Sequence, residues 1–225
     1  PIDFIRKPLL WANMIETFDG THTSGPNFSY ALLAKRMKAA NNRKLIRGSK
    51  MMRAGIAAEP IAPKTIQDMV DMGISRNAIY PCYGMAECCA GTASALGEEV
   101  RVMDGNVSSG LLARTAKYGM YVRIASAKES GDDRYHREIL SDGEVGEIFI
   151  RTPSMANGYW KKPELDHRFR VNLSDGEEYF ATGDLGKVVD DRLYVVGRSK
   201  ELIIVNGRNV YPTDIERVVE VEYPD

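Results

Sequence analysis

The chain has 225 residues, of which 44% are hydrophobic, enough to bury a core in one or two domains. Thirty basic and 31 acidic residues nearly cancel and form no Lys/Arg block, which argues against nucleic acid or an anionic membrane as a partner. The longest apolar runs, such as residues 202–205, fall far short of the ~20 residues that span a bilayer, and no signal region precedes them. We therefore expect no membrane span and a cytoplasmic location.

The first third of the sequence predicts a mixed α/β fold. Asn27 is expected to cap a helix that runs from residue 28 towards 38, and Pro63 to begin a second helix that ends at Gly73. The apolar residues of that second helix form one stripe: Ile66, Met69 and Val70. Between the helices, residues 50–60 are rich in small side chains, which allow a close approach of the backbone to another group.

From about residue 100 the pattern changes to short strands. Residues 121–125, 146–151 and 193–196 are strand candidates, and the polar clusters at 130–133 and 141–143 are turns between them. This spacing predicts a small antiparallel barrel or sandwich.

The last 25 residues predict a new strand, turn and helix. Residues 202–205 form the strand and Asn206-Gly207 the turn, while Thr213 and Glu216 fit a capping box for a helix that has barely begun when the chain ends. We interpret this as the opening of a second domain in a longer polypeptide.

The first segment with chemical potential is Tyr80-Pro81-Cys82-Tyr83-Gly84-Met85-Ala86-Glu87. An exposed face of Tyr83 could stack on a base, Gly84 allows a close approach, and Glu87 offers a hard oxygen to a divalent cation. The alternative is a strand-to-helix corner with a core tyrosine and a surface glutamate. The three cysteines of the chain have no metal-ligand or disulfide spacing, and we expect reduced thiols.

Three further segments follow. Asp184 in Thr182-Gly183-Asp184 could accept both hydroxyls of a ribose diol, although the tripeptide is also an ordinary turn. Arg198 in the run 197–201 could bind ribose or phosphate oxygens, although a basic interdomain linker would look the same. The last segment, residues 205–212, would be explained about as well by a plain hairpin as by a functional role.

Together, in this order and spacing, these segments resemble the adenylate-forming superfamily of acyl-CoA synthetases, adenylation domains and luciferases. The resemblance implies an adenine and magnesium site, a ribose-binding aspartate (Asp184), an arginine that closes over the ribose (Arg198) and a hinge for a C-terminal lid (Lys200). The adenine and magnesium site would be formed by Tyr83, Gly84, Met85, Ala86 and Glu87, with Glu87 as the metal ligand. The loop on the other face of adenine would be formed by Gly55, Ile56, Ala57, Ala58, Glu59 and Pro60.

Details within the superfamily are most similar to fatty acyl-AMP ligases: Pro26-Asn27-Phe28-Ser29-Tyr30, Ala86, and residues 206–212. The implied substrates are ATP, used with Mg²⁺, and a fatty or other carboxylic acid, and the acyl acceptor would be an acyl carrier protein thiol. An acyl- or aryl-CoA ligase and a non-catalytic nucleotide-binding domain remain alternatives. The insertion usually said to distinguish the fatty acyl-AMP ligases has no secure place between residues 88 and 110, which leaves the acceptor open.

The implied fold is the latter part of the large α/β domain, with a barrel-like region from about residue 100. Residues 1–197 would belong to that domain, and residues 198–225 to the hinge and the start of the lid. The phosphate loop and the lid lysine that the family uses are absent from these residues, so we expect little activity from this chain alone. The isolated histidines His22 and His136 receive no role.

Overall fold

The computed structural model describes residues 2–40, 50–126, 137–205 and 208–223. The turn expected at 130–133, His136 and the expected Asn206-Gly207 turn lie outside these residues. None of the described helices is both long and apolar enough to cross a membrane.

Contacts divide the chain into two units. The first comprises residues 2–83 and 94–110, and the second comprises residues 84–93 and everything described from 111 onwards. The chain thus passes from the first unit to the second directly after Tyr83, in the middle of the segment that resembles the adenine and magnesium site.

The first unit combines helices with a mostly parallel sheet. Its helices are α1 (Ile2–Arg6), α2 (Leu9–Thr17), α3 (Asn27–Ala39) and α4 (Pro63–Asp71). Its strands are β1 (His22–Pro26), β2 (Arg53–Ala57), β3 (Ile79–Tyr83), β4 (Ala93–Ser94), where the chain re-enters the unit, β5 (Val102–Met103) and β6 (Asn106–Leu111). The sheet order is β1-β2-β3-β4, with β2 parallel to both β1 and β3, and β5 pairs with β6 in antiparallel fashion.

The prediction for α4 is confirmed. Pro63 is its first residue, where the missing N–H is not needed, and Gly73 follows the helix with a φ of +101°. Ile66 and Met69 are buried and Val70 packs against the same core, because three- and four-residue spacing keeps them on one face.

The helix expected after Asn27 is present as α3, but its cap is not the one predicted. Pro26 is the N-cap and Asn27 is already inside the helix, so the expectation that Asn27 caps it is wrong. The Asn27 side-chain oxygen instead accepts a hydrogen bond from the Ala62 N–H at 3.1 Å. The carboxylate of Glu59 accepts a hydrogen bond from the Phe28 N–H in the first turn of α3. The loop after β2 is thereby fastened to the start of this helix.

The second unit is built on an antiparallel sheet. Its strands are β7 (Tyr121–Ala125), β8 (Gly146–Arg151), β9 (Val171–Asn172), β10 (Glu178–Val189), β11 (Arg192–Arg198), β12 (Ile203–Val205) and β13 (Arg208–Val210). Its α-helices are α5 (Leu112–Ala116) and α6 (Pro212–Glu222). The sheet order is β11-β10-β8-β7, with β9 also paired to β10, so the three strands expected from the sequence are confirmed and antiparallel. Between the described strands of this unit the pairing order is open, and the small barrel or sandwich expected from the sequence stays a prediction.

The pairing of β10 is irregular at one place. Its register with β8 shifts between Ala181 and Leu185, so residues 182–184 lie outside the regular ladder between the two strands. A register shift of this kind bends the strand and re-aims its side chains. The irregularity falls on Thr182-Gly183-Asp184, one of the segments selected from the sequence.

The C-terminal strand and helix are confirmed. β12 and β13 pair with each other, and α6 extends over 11 residues, so the expectation of a helix that barely begins is wrong. The capping box is also wrong: Tyr211 is the N-cap and Pro212 the first helical residue, which places Thr213 inside the helix. Its hydroxyl donates to the Val196 carbonyl at 3.2 Å. A domain boundary at residue 198 stays a prediction.

Candidate functional site

The Thr182-Gly183-Asp184 segment forms a loop that closes on itself. The Thr182 hydroxyl donates to the Ile148 carbonyl at 2.7 Å and accepts from the Asp184 N–H at 3.0 Å. Gly183 has a φ of +76°, a conformation that side chains disfavour, and its N–H donates to Glu147 Oε1 at 3.0 Å. These bonds fix the backbone immediately before the Asp184 side chain.

Asp184 and Arg198 lie opposite each other on β10 and β11. Arg198 Nε donates to Asp184 Oδ1 at 3.0 Å. The exposed fraction is 7% for Asp184 and 66% for the Arg198 side chain. The carboxylate is therefore held in place while the guanidinium lies in solvent, where it can move towards a ligand. Their assignment to a ribose stays a prediction.

Two groups that hold this loop escaped the sequence analysis as site residues. Arg168 donates to the Ala181 and Thr182 carbonyls, each at 2.9 Å from Nη2. Glu147, besides accepting from Gly183, forms an ion pair with Arg137 at 2.6 Å. Glu147 could have been predicted from the sequence, because it lies within the apolar strand Gly146–Arg151 and a buried acid needs partners. Arg168 lies in a polar stretch that carries no comparable signal.

Residues 84–90 form a tight turn around Glu87. A side chain at Gly84 would place its Cβ 1.6 Å from the Ala90 carbonyl oxygen, so glycine is required there. The Ala90 N–H donates to the Met85 carbonyl at 3.0 Å, and Cys89 adopts a left-handed conformation with φ of +59°. The turn presents Glu87 in the middle of a short 3₁₀ helix that spans Ala86–Cys88.

The half-buried Glu87 carboxylate has one defined partner. Glu87 Oε1 accepts a hydrogen bond from the Tyr159 hydroxyl. Burial first, and then the bond to Glu87, raise the pKa of Tyr159, so this phenol keeps its proton and remains a donor. Among the described residues, the second carboxylate oxygen, Oε2, has no hydrogen-bond donor.

The donor set around Glu87 fits one kind of metal site. Across the described residues there is no cluster of three or more His, Cys, Asp or Glu side chains that could hold a metal ion. A protein cage for Mg²⁺ is thus not formed by these residues. Mg²⁺ is commonly bound by one or two carboxylates together with substrate phosphates and water, and a single oxygen of Glu87 suits that mode.

Tyr83 does not match its expected environment. Its side chain is 9% exposed, so the expectation of an exposed ring is wrong. This burial agrees with the alternative of a core tyrosine. Tyr83 ends β3, whose alternate residues are buried, and this pattern places it inwards. Its predicted contact with adenine is untested by this burial and stays a prediction.

The glycine-alanine loop after β2 is explained in part by packing. Tyr30 donates to the Gly55 carbonyl at 3.0 Å, and a Cβ at Gly55 would lie 3.0 Å from the Tyr80 ring. The close approach expected for this stretch is therefore made by Tyr80. Ala58 has a φ of +73°, which turns the chain towards Glu59 and its bond to α3. Roles of Ala57, Ala58, Glu59 and Pro60 at a nucleotide stay predictions.

Lys200 is exposed within a single 3₁₀ turn, Ser199–Glu201, that follows β11 directly. The Ser199 hydroxyl donates to the Gly183 carbonyl at 3.1 Å, so this turn is tied back to the Asp184 loop. The described residues give Lys200 no ion pair, which is compatible with the predicted hinge and equally with a solvated linker.

The first unit contains a cavity of about 440 Å³ that is lined mainly by apolar side chains. Phe4, Leu10, Trp11, Met14 and Phe28 form its apolar wall. Lys7 and Asp3 also line it and give it a polar portion. No sequence pattern predicts this cavity, because its walls come from α1, α2 and the residues around Pro26.

Comparison with known proteins connects these features to a family. Residues 2–160 match the family of AMP-binding enzymes. A medium-chain-fatty-acid–[acyl-carrier-protein] ligase, JamA of Moorena producens (strain JHB), is 32% identical over an alignment of 254 residues that covers 100% of this chain and 41% of JamA. The putative ligase Rv1013 of Mycobacterium tuberculosis is 36% identical over 233 residues, which cover 96% of this chain and 42% of that protein.

Solved structures agree with this assignment. The fatty acid AMP ligase from Legionella pneumophila superposes with a TM-score of 0.74 at 30% identity, over 98% of this chain and 41% of that chain. The mixed α/β fold therefore matches part of the adenylate-forming enzymes, and the chain spans about two fifths of the length of these relatives. The match over residues 2–160 shows that the chain belongs to the AMP-binding enzyme family.

Proposed function

We propose that the full-length protein uses ATP to activate a fatty acid as its acyl-adenylate and then transfers the acyl group to the thiol of an acyl carrier protein. The observation that carries the proposal is the buried Asp184 carboxylate, fixed by its loop and paired with the solvent-exposed Arg198. Relatives named as fatty acid–carrier protein ligases, in two bacteria, support the substrate and the acceptor.

The chemistry explains why activation is needed. A free carboxylate is a poor electrophile, so its oxygen attacks the α-phosphorus of ATP and pyrophosphate departs. The thiol then attacks the acyl carbonyl carbon and AMP leaves, with the thiol proton passing to solvent or a base. Most of the catalysis in such a sequence is positioning and electrostatic stabilisation.

The described residues supply parts of that positioning. Asp184 would accept the ribose hydroxyls, and Arg198, which lies in solvent, would move onto the ribose or phosphate oxygens. Glu87 would hold a Mg²⁺ ion through its free oxygen, and that ion would offset the charge on the phosphates. Tyr83 and the 55–60 loop would bound the adenine.

The cavity of the first unit supports the choice of a fatty acid. Its apolar wall of Phe4, Trp11 and Met14 favours an alkyl chain, which gains about 0.8 kcal/mol for each CH₂ group removed from water. The volume of about 440 Å³ is within the usual range of small-molecule sites.

The test is Asp184→Ala in the full-length protein. The loss of a charged hydrogen bond costs roughly 1.5 to 3 kcal/mol, so adenylate formation should fall roughly 10- to 150-fold. Folding should be preserved, since the Arg198 side chain that loses its partner is already in solvent. Exposed Asp71→Ala is the control and should keep wild-type activity. Wild-type activity in Asp184→Ala would remove Asp184 from the ribose site.

One observation supports CoA as an alternative acceptor. Several relatives, from Mycobacterium leprae and Mycobacterium tuberculosis, are named putative fatty-acid–CoA ligases. Presenting the preformed acyl-adenylate to carrier protein and to CoA in parallel separates the two acceptors. Release of AMP only with carrier protein is the expected result; release only with CoA would make the protein a CoA ligase. No adenylate formation with any fatty acid would favour a nucleotide-binding domain without activity.

A further inference from the structure

One segment of the second unit, residues 159–169, contacts one of its candidate ligand-binding carboxylates and the loop that carries the other. Tyr159 at its start donates to Glu87, and Arg168 near its end holds the loop that carries Asp184. We propose that Tyr159 and Arg168 are positioning residues for this reaction, Tyr159 for the metal-binding carboxylate and Arg168 for the ribose-binding one. This inference rests on the proposed function.

The direction of the Tyr159 hydroxyl is fixed by aromatic packing. Its ring meets Phe169 edge-on at 5.3 Å, and Phe169 in turn packs against Phe180 of β10 at 4.6 Å. Phe169 and Phe180 are buried, and the half-buried Tyr159 packs against this pair of rings. This packing holds the Tyr159 ring with its hydroxyl on Glu87 Oε1.

The backbone of the Glu87 turn is held by the residues just before Tyr159. The Ala156 N–H donates to the Glu87 carbonyl at 2.8 Å, and the Ser154 hydroxyl donates to the Cys88 carbonyl at 3.0 Å. With both carbonyls bound, the turn itself is secured without Tyr159. The phenol of Tyr159 is then left with one task, which is to orient the carboxylate.

Arg168 acts on the other carboxylate through the backbone. Its Nε and Nη2 both donate to the Ala181 carbonyl, at 3.2 and 2.9 Å, and Nη2 also donates to Thr182 at 2.9 Å. Thr182 lies where β10 has lost its register with β8, so its carbonyl depends on a side chain for a partner. The guanidinium also lies over the Phe180 ring at 5.1 Å. A planar fork with two donors makes these contacts together, and a lysine ammonium does not.

Tyr159 and Arg168 are expected to affect metal binding and nucleotide binding separately. Among the described residues, the Tyr159 hydroxyl donates to the carboxylate assigned to Mg²⁺, whereas the Arg168 guanidinium donates to the loop that carries Asp184. A residue that only stabilises the fold would lower both functions together. Positioning residues should instead alter one function each.

The experiment uses the full-length protein and two binding measurements by calorimetry. One is AMP affinity without metal, and the other is the Mg²⁺ concentration that gives half-maximal binding of a non-hydrolysable ATP analogue. Tyr159→Phe should raise the Mg²⁺ midpoint about tenfold, as is usual for groups that orient a metal ligand, and leave AMP affinity within about twofold. Arg168→Lys should weaken AMP binding about tenfold, the loss of about one charged hydrogen bond, and leave the Mg²⁺ midpoint at saturating nucleotide unchanged.

Matched controls are exposed residues of the same types. Tyr118→Phe and Arg170→Gln should leave both measurements unchanged. Thermal unfolding identifies a variant that folds poorly; if Arg168→Lys does, Tyr159→Phe, which keeps the packed ring, decides the proposal by its Mg²⁺ midpoint. Wild-type values in both variants, or an equal loss of both affinities in each, would overturn it. Failure of the wild-type protein to bind AMP would instead overturn the proposed function.

Discussion

The sheets of the two units differ in what they bury. In the first unit, the middle of β2 buries Ala54, Gly55 and Ile56, which have no polar side-chain atoms. In the second, β8 and β10 bury the carboxylates of Glu147 and Asp184 among their apolar residues. Apolar burial stabilises a sheet directly, whereas a buried acid needs hydrogen-bond partners and can hold an irregular backbone in place through them. In the second sheet, Glu147 holds the loop at residues 182–184 in this way.

If the first sheet depends on apolar packing, truncating a buried side chain in it should lower the stability of the protein strongly. Ile56 is fully buried, so Ile56→Ala should lower the free energy of unfolding by about 2 to 5 kcal/mol. The exposed Ile5 provides the matched control, and Ile5→Ala should change it by less than about 0.5 kcal/mol. Denaturation midpoints of the two variants measure this. Equal losses in both would mean that burial at Ile56 does not stabilise the sheet.

A buried tyrosine in the second unit makes the stability of the protein depend on pH. Burial first, and then its hydrogen bond to Asp175, raise the pKa of Tyr179 from its usual 10.0 to about 12. The folded protein therefore holds this proton more tightly than the unfolded chain. The contribution of Tyr179 to the free energy of unfolding is complete below pH 10.0. It is lost as the pH rises towards about 12, by at most about 1.4 kcal/mol per pH unit.

The measurement is the free energy of unfolding between pH 9 and 12, compared for wild type and Tyr179→Phe. The variant should show a shallower decline, and Tyr118→Phe, with its exposed ring, should follow wild type. In the first unit, burial and the nearby Tyr80 also raise the pKa of Tyr30, so Tyr30→Phe should flatten the same decline. A slope that neither substitution alters would contradict both assignments.

The buried ion pair of the second sheet gives a smaller effect. Glu147→Gln retains an acceptor for the Gly183 N–H but loses the charge that faces Arg137, and should cost about 1 to 2 kcal/mol. The control is Glu177→Gln, because Glu177 is exposed and its ion pair with Arg151 is worth less than about 1 kcal/mol. Equal changes in unfolding free energy for the two variants would mean that burial adds nothing to the Glu147 pair.

The smallest expected change in stability concerns Lys200, which is exposed after the last strand of the second sheet. Proline fixes φ and also restricts Ser199 before it, so Lys200→Pro should limit rotation at the predicted hinge. We expect adenylate formation to survive and transfer to the thiol to fall at least about tenfold, as hinge residues must reach two backbone conformations. Single-turnover pyrophosphate release and transfer from preformed adenylate measure the two steps. Lys200→Ala should leave both unchanged; an unchanged transfer rate in Lys200→Pro would remove Lys200 from the mechanism.

Elements with a local cause were predictable from the sequence. Pro63, the apolar stripe and Gly73 are all within α4 or beside it, and the structure places this helix as expected. The strands Tyr121–Ala125 and Gly146–Arg151 were likewise visible as runs of β-forming residues.

Features that depend on distant partners were not predictable. Asn27 and Thr213 are of types that cap helices, but each bonds a backbone group elsewhere, at Ala62 and Val196. The same limit applies to the site: Asp184 and Glu87 were visible as motif residues, whereas the partner of Glu87, Tyr159, is 72 residues away. A sequence pattern specifies which groups need partners and leaves open which residues supply them.

The tight turn at Gly84 has a consequence for how the protein would tolerate random change. No side chain fits there, because even a methyl group would overlap the Ala90 carbonyl oxygen. In a saturation library scored for cellular abundance, position 84 should reject every substitution, while position 87 should accept many. Scored for enzyme activity, both positions should appear equally intolerant. The pair thus separates a residue required for folding from one required for chemistry, which an activity screen alone would confuse.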